Sequence, residues 1–162
     1  MAQTLIYLQE NGYDDYAVLK KKTAAATSRF NELSDRIKVL ESGMEANAEL
    51  QKQIATYSKT KATYVEYRKA GYSKKFKALH EADILLHQTA KKYFDSLGLK
   101  KLPTIASLRT EYAPMLEEIK NARREYRQAK DEMRELLTAK SNVDRLLNIT
   151  ERRTEPEMER DN

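Results

Sequence analysis

The chain has no cysteine and no tryptophan, four glycines, three prolines and two histidines in 162 residues. Without cysteine it has no disulfide framework and no cysteine-ligated zinc or iron–sulfur centre, which fits a reducing compartment. So few glycines and prolines leave little material for the tight turns of a β-sandwich or barrel. No apolar run approaches the 18 residues of a membrane span. The opening Met-Ala-Gln-Thr-Leu-Ile-Tyr-Leu lacks the basic start and the apolar length of a secretory signal, so a cytoplasmic location is expected. Also missing are a glycine-rich phosphate loop, a Gly-x-Ser-x-Gly elbow and a His-x-His triplet. No cofactor is implied, and catalysis is not expected of this chain.

What the sequence does have is charge, 34% of its residues, in two long periodic stretches. Stepping alternately by three and four from Ile105 gives Leu108, Tyr112, Met115, Ile119, Ala122, Tyr126, Ala129, Met133, Leu136, Lys140, Val143 and Leu147. Only Lys140 in that line is polar. A three-four repeat sustained this long is the seam of a helix that lies along another helix. At about 1.5 Å per residue such a helix runs roughly 65 Å. A second seam follows Tyr16, Leu19, Thr23, Ala26, Phe30, Leu33, Ile37, Leu40 and Met44. It meets Asn47 and Gln51, recovers at Ile54, and drifts toward Tyr57, Tyr64 and Tyr67. The polar interruption reads as a stutter or as a place where the partner helix bends away.

The boundaries follow from local chemistry. Residues 3–11 read as a short amphipathic helix stopped at Asn11-Gly12, with Asp14 or Asp15 capping the next one. Helix is expected over 15–69, with Gly43 a weak point worth about 1 kcal/mol against Ala. Gly71 reads as its C-terminal stop and Ser73 as the next N-cap. A third helix is expected over 74–97, carrying Phe76, Leu79, Ile84, Leu86, Ala90, Tyr93, Phe94 and Leu97. That broad apolar band suits packing against two other helices. Gly98 closes it, and Thr104 caps a fourth helix over 104–147, kinked near Thr110–Met115 by Pro114. From Thr150 to Asn162 periodicity ceases, and a disordered charged tail is expected.

These lengths predict an all-α fold. Residues 1–149 form a long antiparallel helical hairpin of coiled-coil type, roughly 80 Å by the helical rise, with the shorter helix capping the turn end. Intramolecular pairing avoids the entropy of association, with dimerisation on top of it left open.

Two sets of side chains invite a chemical reading. His80, Asp83 and His87 share a helix face, but the two histidines are about 10 Å apart by the helical rise. They make no metal site, and hydrogen bonds holding the turn end are the expectation. The second set is basic. Residues 59–101 hold eleven Lys or Arg against four acids, a net charge of +7, while the remainder sums to −2. The candidate nucleic-acid-binding residues are Lys59, Lys61, Arg68, Lys69, Lys74, Lys75, Lys77, Lys91 and Lys92, with Tyr67 and Tyr72 among them. Cations hold phosphates and aromatic rings stack on bases. The competing reading makes the tyrosines packing residues and the lysines a solvated rim.

Four stretches, YRKAGYSKKF (67–76), HEADILLH (80–87), KKLPTIASL (100–108) and MRELLTAKSNVDRLL (133–147), resemble the C-terminal helical region of relaxases. These are the mobilisation nucleases of plasmids and integrative conjugative elements of Firmicutes. The resemblance spans about Gln3 to Leu147. It implies a bacterial cytoplasmic protein that supports DNA mobilisation through contacts with DNA, with relaxosome proteins or with secretion-channel proteins. The relaxase catalytic tyrosine and histidine cluster are not in this sequence, so no catalytic residue is carried over. The alternative from a different class is a coiled-coil scaffold without a nucleic-acid role.

Overall fold

The structure is a computed structural model that describes residues 16–160, with side chains up to Asn148. Among them the elements are all helical: α1 (Tyr16–Lys69), α2 (Lys74–Leu79), α3 (Glu81–Ser96) and α4 (Ile105–Arg160). The expected short helix at 3–11 and the Asp14 or Asp15 cap lie outside the described residues. The chain divides into two compact units, Met1–Lys38 with Lys120–Asn162, and Val39–Ile119. Both long helices contribute to both units.

In the first unit α1 and α4 pair antiparallel. Leu19, Ala26, Leu136 and Ala139 form a buried cluster, with Met133 and Val143 packed on it. Phe30 stacks on Tyr126 at 4.9 Å between centroids. The seam threonine, Thr23, is buried because its hydroxyl donates to the Leu19 carbonyl at 2.7 Å. The one polar break in the seam of α4, Lys140, is explained here. Its ammonium donates to Asp144 Oδ2 at 2.9 Å, while the Tyr16 hydroxyl donates to Asp144 Oδ1. The hydrogen bond from Tyr16, then that from Lys140, holds the Asp144 carboxyl below its ordinary range. The same shared carboxylate pushes the Tyr16 hydroxyl and the Lys140 ammonium up.

In the second unit α1 again meets α4 antiparallel. Asn47 is buried, and its side chain donates to the Leu108 carbonyl at 2.9 Å while accepting from Gln51 Nε2 at 2.6 Å. The polar interruption of the seam is therefore a hydrogen-bonded crossing point at the start of α4. Ile54, Ala90, Phe94 and Leu108 form the core of this unit, joining α1, α3 and α4. Beyond Ile54, α1 has α3 and then α2 beside it: Thr60 meets His87, Tyr57 meets both His87 and Phe94, and Tyr67 meets Phe76.

The helix ends behave as local chemistry dictates. Gly71 and Gly98 both have φ of +68°. In each case the glycine N–H and the following N–H turn back onto the last turn: Gly71 to Arg68 and Tyr72 to Tyr67, Gly98 to Asp95 and Leu99 to Phe94. This 5→2 and 6→1 pairing satisfies carbonyls that a helix end leaves open. Ser73 Oγ accepts from Phe76 N, and Thr104 Oγ1 from Ser107 N at 3.0 Å.

Three expectations are corrected. The third helix is not continuous over 74–97, because His80 (φ −128°, ψ 32°) leaves helical geometry and separates α2 from α3. Glu81 and Asp83 then occupy the positive first turn of α3, and the His80 ring rests on Phe76 at 4.5 Å. The broad apolar band meets two helices only in part: Ala90 and Phe94 are buried against both α1 and α4 and Ile84 is buried as well, whereas Leu79, Leu86 and Leu97 are exposed. Finally, α4 does not stop at Leu147 but continues to Arg160. Eight of the eleven residues from Thr150 to Arg160 are Glu, Arg or Met, strong helix formers even without an apolar face. Pro114 does not end α4, as expected of a single lost donor.

Candidate nucleic-acid interface

The nine candidate cations all lie in the second unit, and all are exposed. Arg68 and Lys69 form the last turn of α1, Lys74, Lys75 and Lys77 belong to α2, and Lys91 and Lys92 to α3. None of the nine makes an ion pair among the described residues; the pair resolved there in the periodic seam is Lys140 with Asp144. The charges of Lys61 on α1 and Lys91 on α3 both act on the imidazole of His87.

That imidazole organises the space beneath the cations. It is 3% exposed and lies between two rings, Tyr57 at 4.3 Å and Tyr64 at 4.5 Å, both nearly parallel to it. Its Nδ1 is 3.0 Å from Thr60 Oγ1, and the Thr60 hydroxyl also reaches the Thr56 carbonyl at 2.8 Å. The ring and the hydroxyl share this hydrogen bond, and the imidazole tautomer sets which of them donates. Burial, first, pulls the His87 pKa below its ordinary value, and Lys91 and Lys61 add to this; a hydrogen bond with the Tyr57 backbone opposes it. The ring is a neutral structural element. His80 and Asp83 are exposed and do not join it, and no group of three metal-ligating side chains occurs among the described residues.

The two candidate tyrosines part company. Tyr67 is 7% exposed and meets Tyr64, Tyr72 and Phe76, so its faces are already taken and it has no surface to offer a base. Tyr72 is 54% exposed and meets Tyr67 edge-on at 5.3 Å. Sequence periodicity did not single out Thr60 or the burial of His87. The signal was present as the spacing Tyr57, Thr60, Tyr64, Tyr67, which continues the α1 seam through a threonine.

Two further features belong to this unit. Leu79 on α2, Leu85 and Leu86 on α3 and Leu97 at its C-cap are 50–72% exposed. An open cleft of about 370 Å³ is lined by Ala48, Gln51, Arg109, Tyr112, Ala113 and Leu116. No helix among the described residues is long and apolar enough to cross a membrane. No protein-family model, curated protein or solved structure matches the chain.

Proposed function

We propose that this chain is a non-catalytic helical module that contacts DNA through the basic surface of its second unit, as its resemblance to the C-terminal region of relaxases implies. The observation that carries this reading is the set of nine exposed cations, from Lys59 to Lys92, without ion pairs among the described residues. Structural lysines on a helical surface are commonly interleaved with acids in i,i+4 pairs, as Lys140 is with Asp144. Cations left unneutralised and concentrated raise the local potential and attract a polyanion. The interaction is weak, tolerant of sequence and dependent on salt, because phosphates carry no base information.

The test is a binding titration of the chain against a short DNA duplex, by fluorescence anisotropy, across a salt series. Log affinity should fall against log salt with a slope of about −3 to −5, each phosphate contributing nearly one unit. Lys74→Glu, Lys75→Glu and Lys77→Glu combined should abolish binding with the fold intact, since all three are exposed and α2 buries no residue. Absence of binding even at about 20 mM salt, where counterion release favours association most, would remove the DNA reading.

The exposed Leu79, Leu85, Leu86 and Leu97 favour a second reading, contact with a relaxosome or secretion-channel protein. Lys74, Lys75, Lys77 and Lys92 lie on the same two helices, so an acidic amphipathic helix complements this face. A second copy of the chain would instead bring like charges together.

A further inference from the structure

We infer that Tyr72 is a stacking platform for an unstacked base of a single-stranded nucleic acid. The inference rests on the DNA-contacting reading and adds a preference for single strands over duplex. It starts from a backbone oddity. Tyr72 has φ of +60°, the one non-glycine residue with positive φ among the described residues, and it directly follows Gly71 at +68°. A bulky L-residue meets a steric cost there that glycine would not. The turn itself needs only the Tyr72 N–H, which donates to the Tyr67 carbonyl at 3.1 Å and which any residue but proline would supply.

The ring is fixed from behind and open in front. Tyr67 touches it edge-on at 5.3 Å, and Tyr67 is itself braced by Phe76, nearly parallel at 6.1 Å. Between Tyr57 and Phe94 every other Tyr or Phe ring is buried or half-buried, and Tyr72 alone of these is exposed. Within four positions of it stand Arg68, Lys69, Lys74 and Lys75, all exposed. A rigid ring with a solvent face, bracketed by cations, is what base stacking with phosphate contacts requires. In a duplex the bases already stack on one another, so the ring gains nothing and only the cations act.

The experiment compares a thymine homopolymer with a duplex of equal length at low salt, using the chain and its Tyr72→Phe, Tyr72→Leu and Tyr72→Gly variants. Tyr72→Phe should keep single-strand affinity. Tyr72→Leu, which retains an apolar contact with Tyr67, should weaken it about five- to one-hundred-fold, the value of one stacked base, and leave duplex affinity unchanged. Tyr72→Gly should show the same loss with a melting temperature no lower than the parent, because it relieves the left-handed conformation. A uridine homopolymer beside a deoxyuridine homopolymer, which share the base, identifies the sugar, and tighter binding to either strand supports the inference. If Tyr72→Leu binds the single strand like the parent while duplex binding persists, the stacking role is overturned and the DNA reading survives. If neither strand form binds the parent chain, both fall together.

Discussion

His87 Nδ1 and Thr60 Oγ1 stand 3.0 Å apart across the α1–α3 contact, with the imidazole closed on its faces by Tyr57 and Tyr64. Thr60 is 2% exposed, and its hydroxyl is the hydrogen-bond partner that offsets the cost of burying the imidazole nitrogen. Thr60→Val keeps the shape and removes that partner. A buried polar group that loses a hydrogen-bond partner costs roughly 1–3 kcal/mol, which urea unfolding should register as a lower midpoint with an unchanged slope. Thr60→Ser should restore most of the loss.

The same imidazole makes stability depend on pH. Folding lowers the His87 pKa, chiefly by burial, from its ordinary 6.5. As pH falls the unfolded chain therefore takes up its proton first. The contribution is complete above about pH 6.5 and is lost progressively as pH drops through the folded value. Unfolding free energy measured at about pH 7.5 and about pH 5 should decline for the parent chain and change less for His87→Phe. Asp144, also held low, loses its contribution only further down, as pH passes below the ordinary carboxylate range.

Leu33 and Leu136 are 8% and 1% exposed and lie on the facing seams of the first unit. Leu33→Asp or Leu136→Asp forces a carboxylate into that seam at a cost of several kcal/mol. Circular dichroism melting should show a marked loss of thermal stability in either variant, larger for Leu136→Asp. An unchanged melting temperature would mean that the seam register is wrong.

Gly43 sits inside α1, where a Cβ would come 3.3 Å from Met115 Sδ. The thioether is flexible and yields by a few tenths of an ångström at little cost. Gly43→Ala should therefore raise stability by up to about 1 kcal/mol, the helix propensity difference, and a differential scan should show a higher melting temperature.

How much was legible differs from residue to residue. Every position of the first-helix seam from Tyr16 to Met44 is buried or half-buried, and so is the α4 seam from Ile105 to Val143; only its last member, Leu147, is exposed. Such periodicity is a property of the helix itself, and it reads directly from spacing. The stops at Gly71 and Gly98 and the caps at Ser73 and Thr104 were equally readable, because they depend on neighbours within one turn. His80 was not: no glycine or proline marks the break between α2 and α3, and packing of its ring on Phe76 lies outside any local rule.

Helicity, the course of the seams and the concentration of positive charge follow from backbone propensity, period and composition, and the order of residues is enough to specify them. Which side chains of the basic segment are open to solvent depends instead on packing between distant elements. The loop after Gly98 sets α4 down with Leu108 against Asn47 and Ile54. The α1–α3 pair beyond that point therefore has no α4 alongside it, and Leu85 and Leu86 stay in solvent. Tyr67 and Tyr72 are five residues apart and chemically identical, yet one is enclosed and one is open. Burial depends on where a partner begins, and that is a fact about distant residues which no local pattern contains.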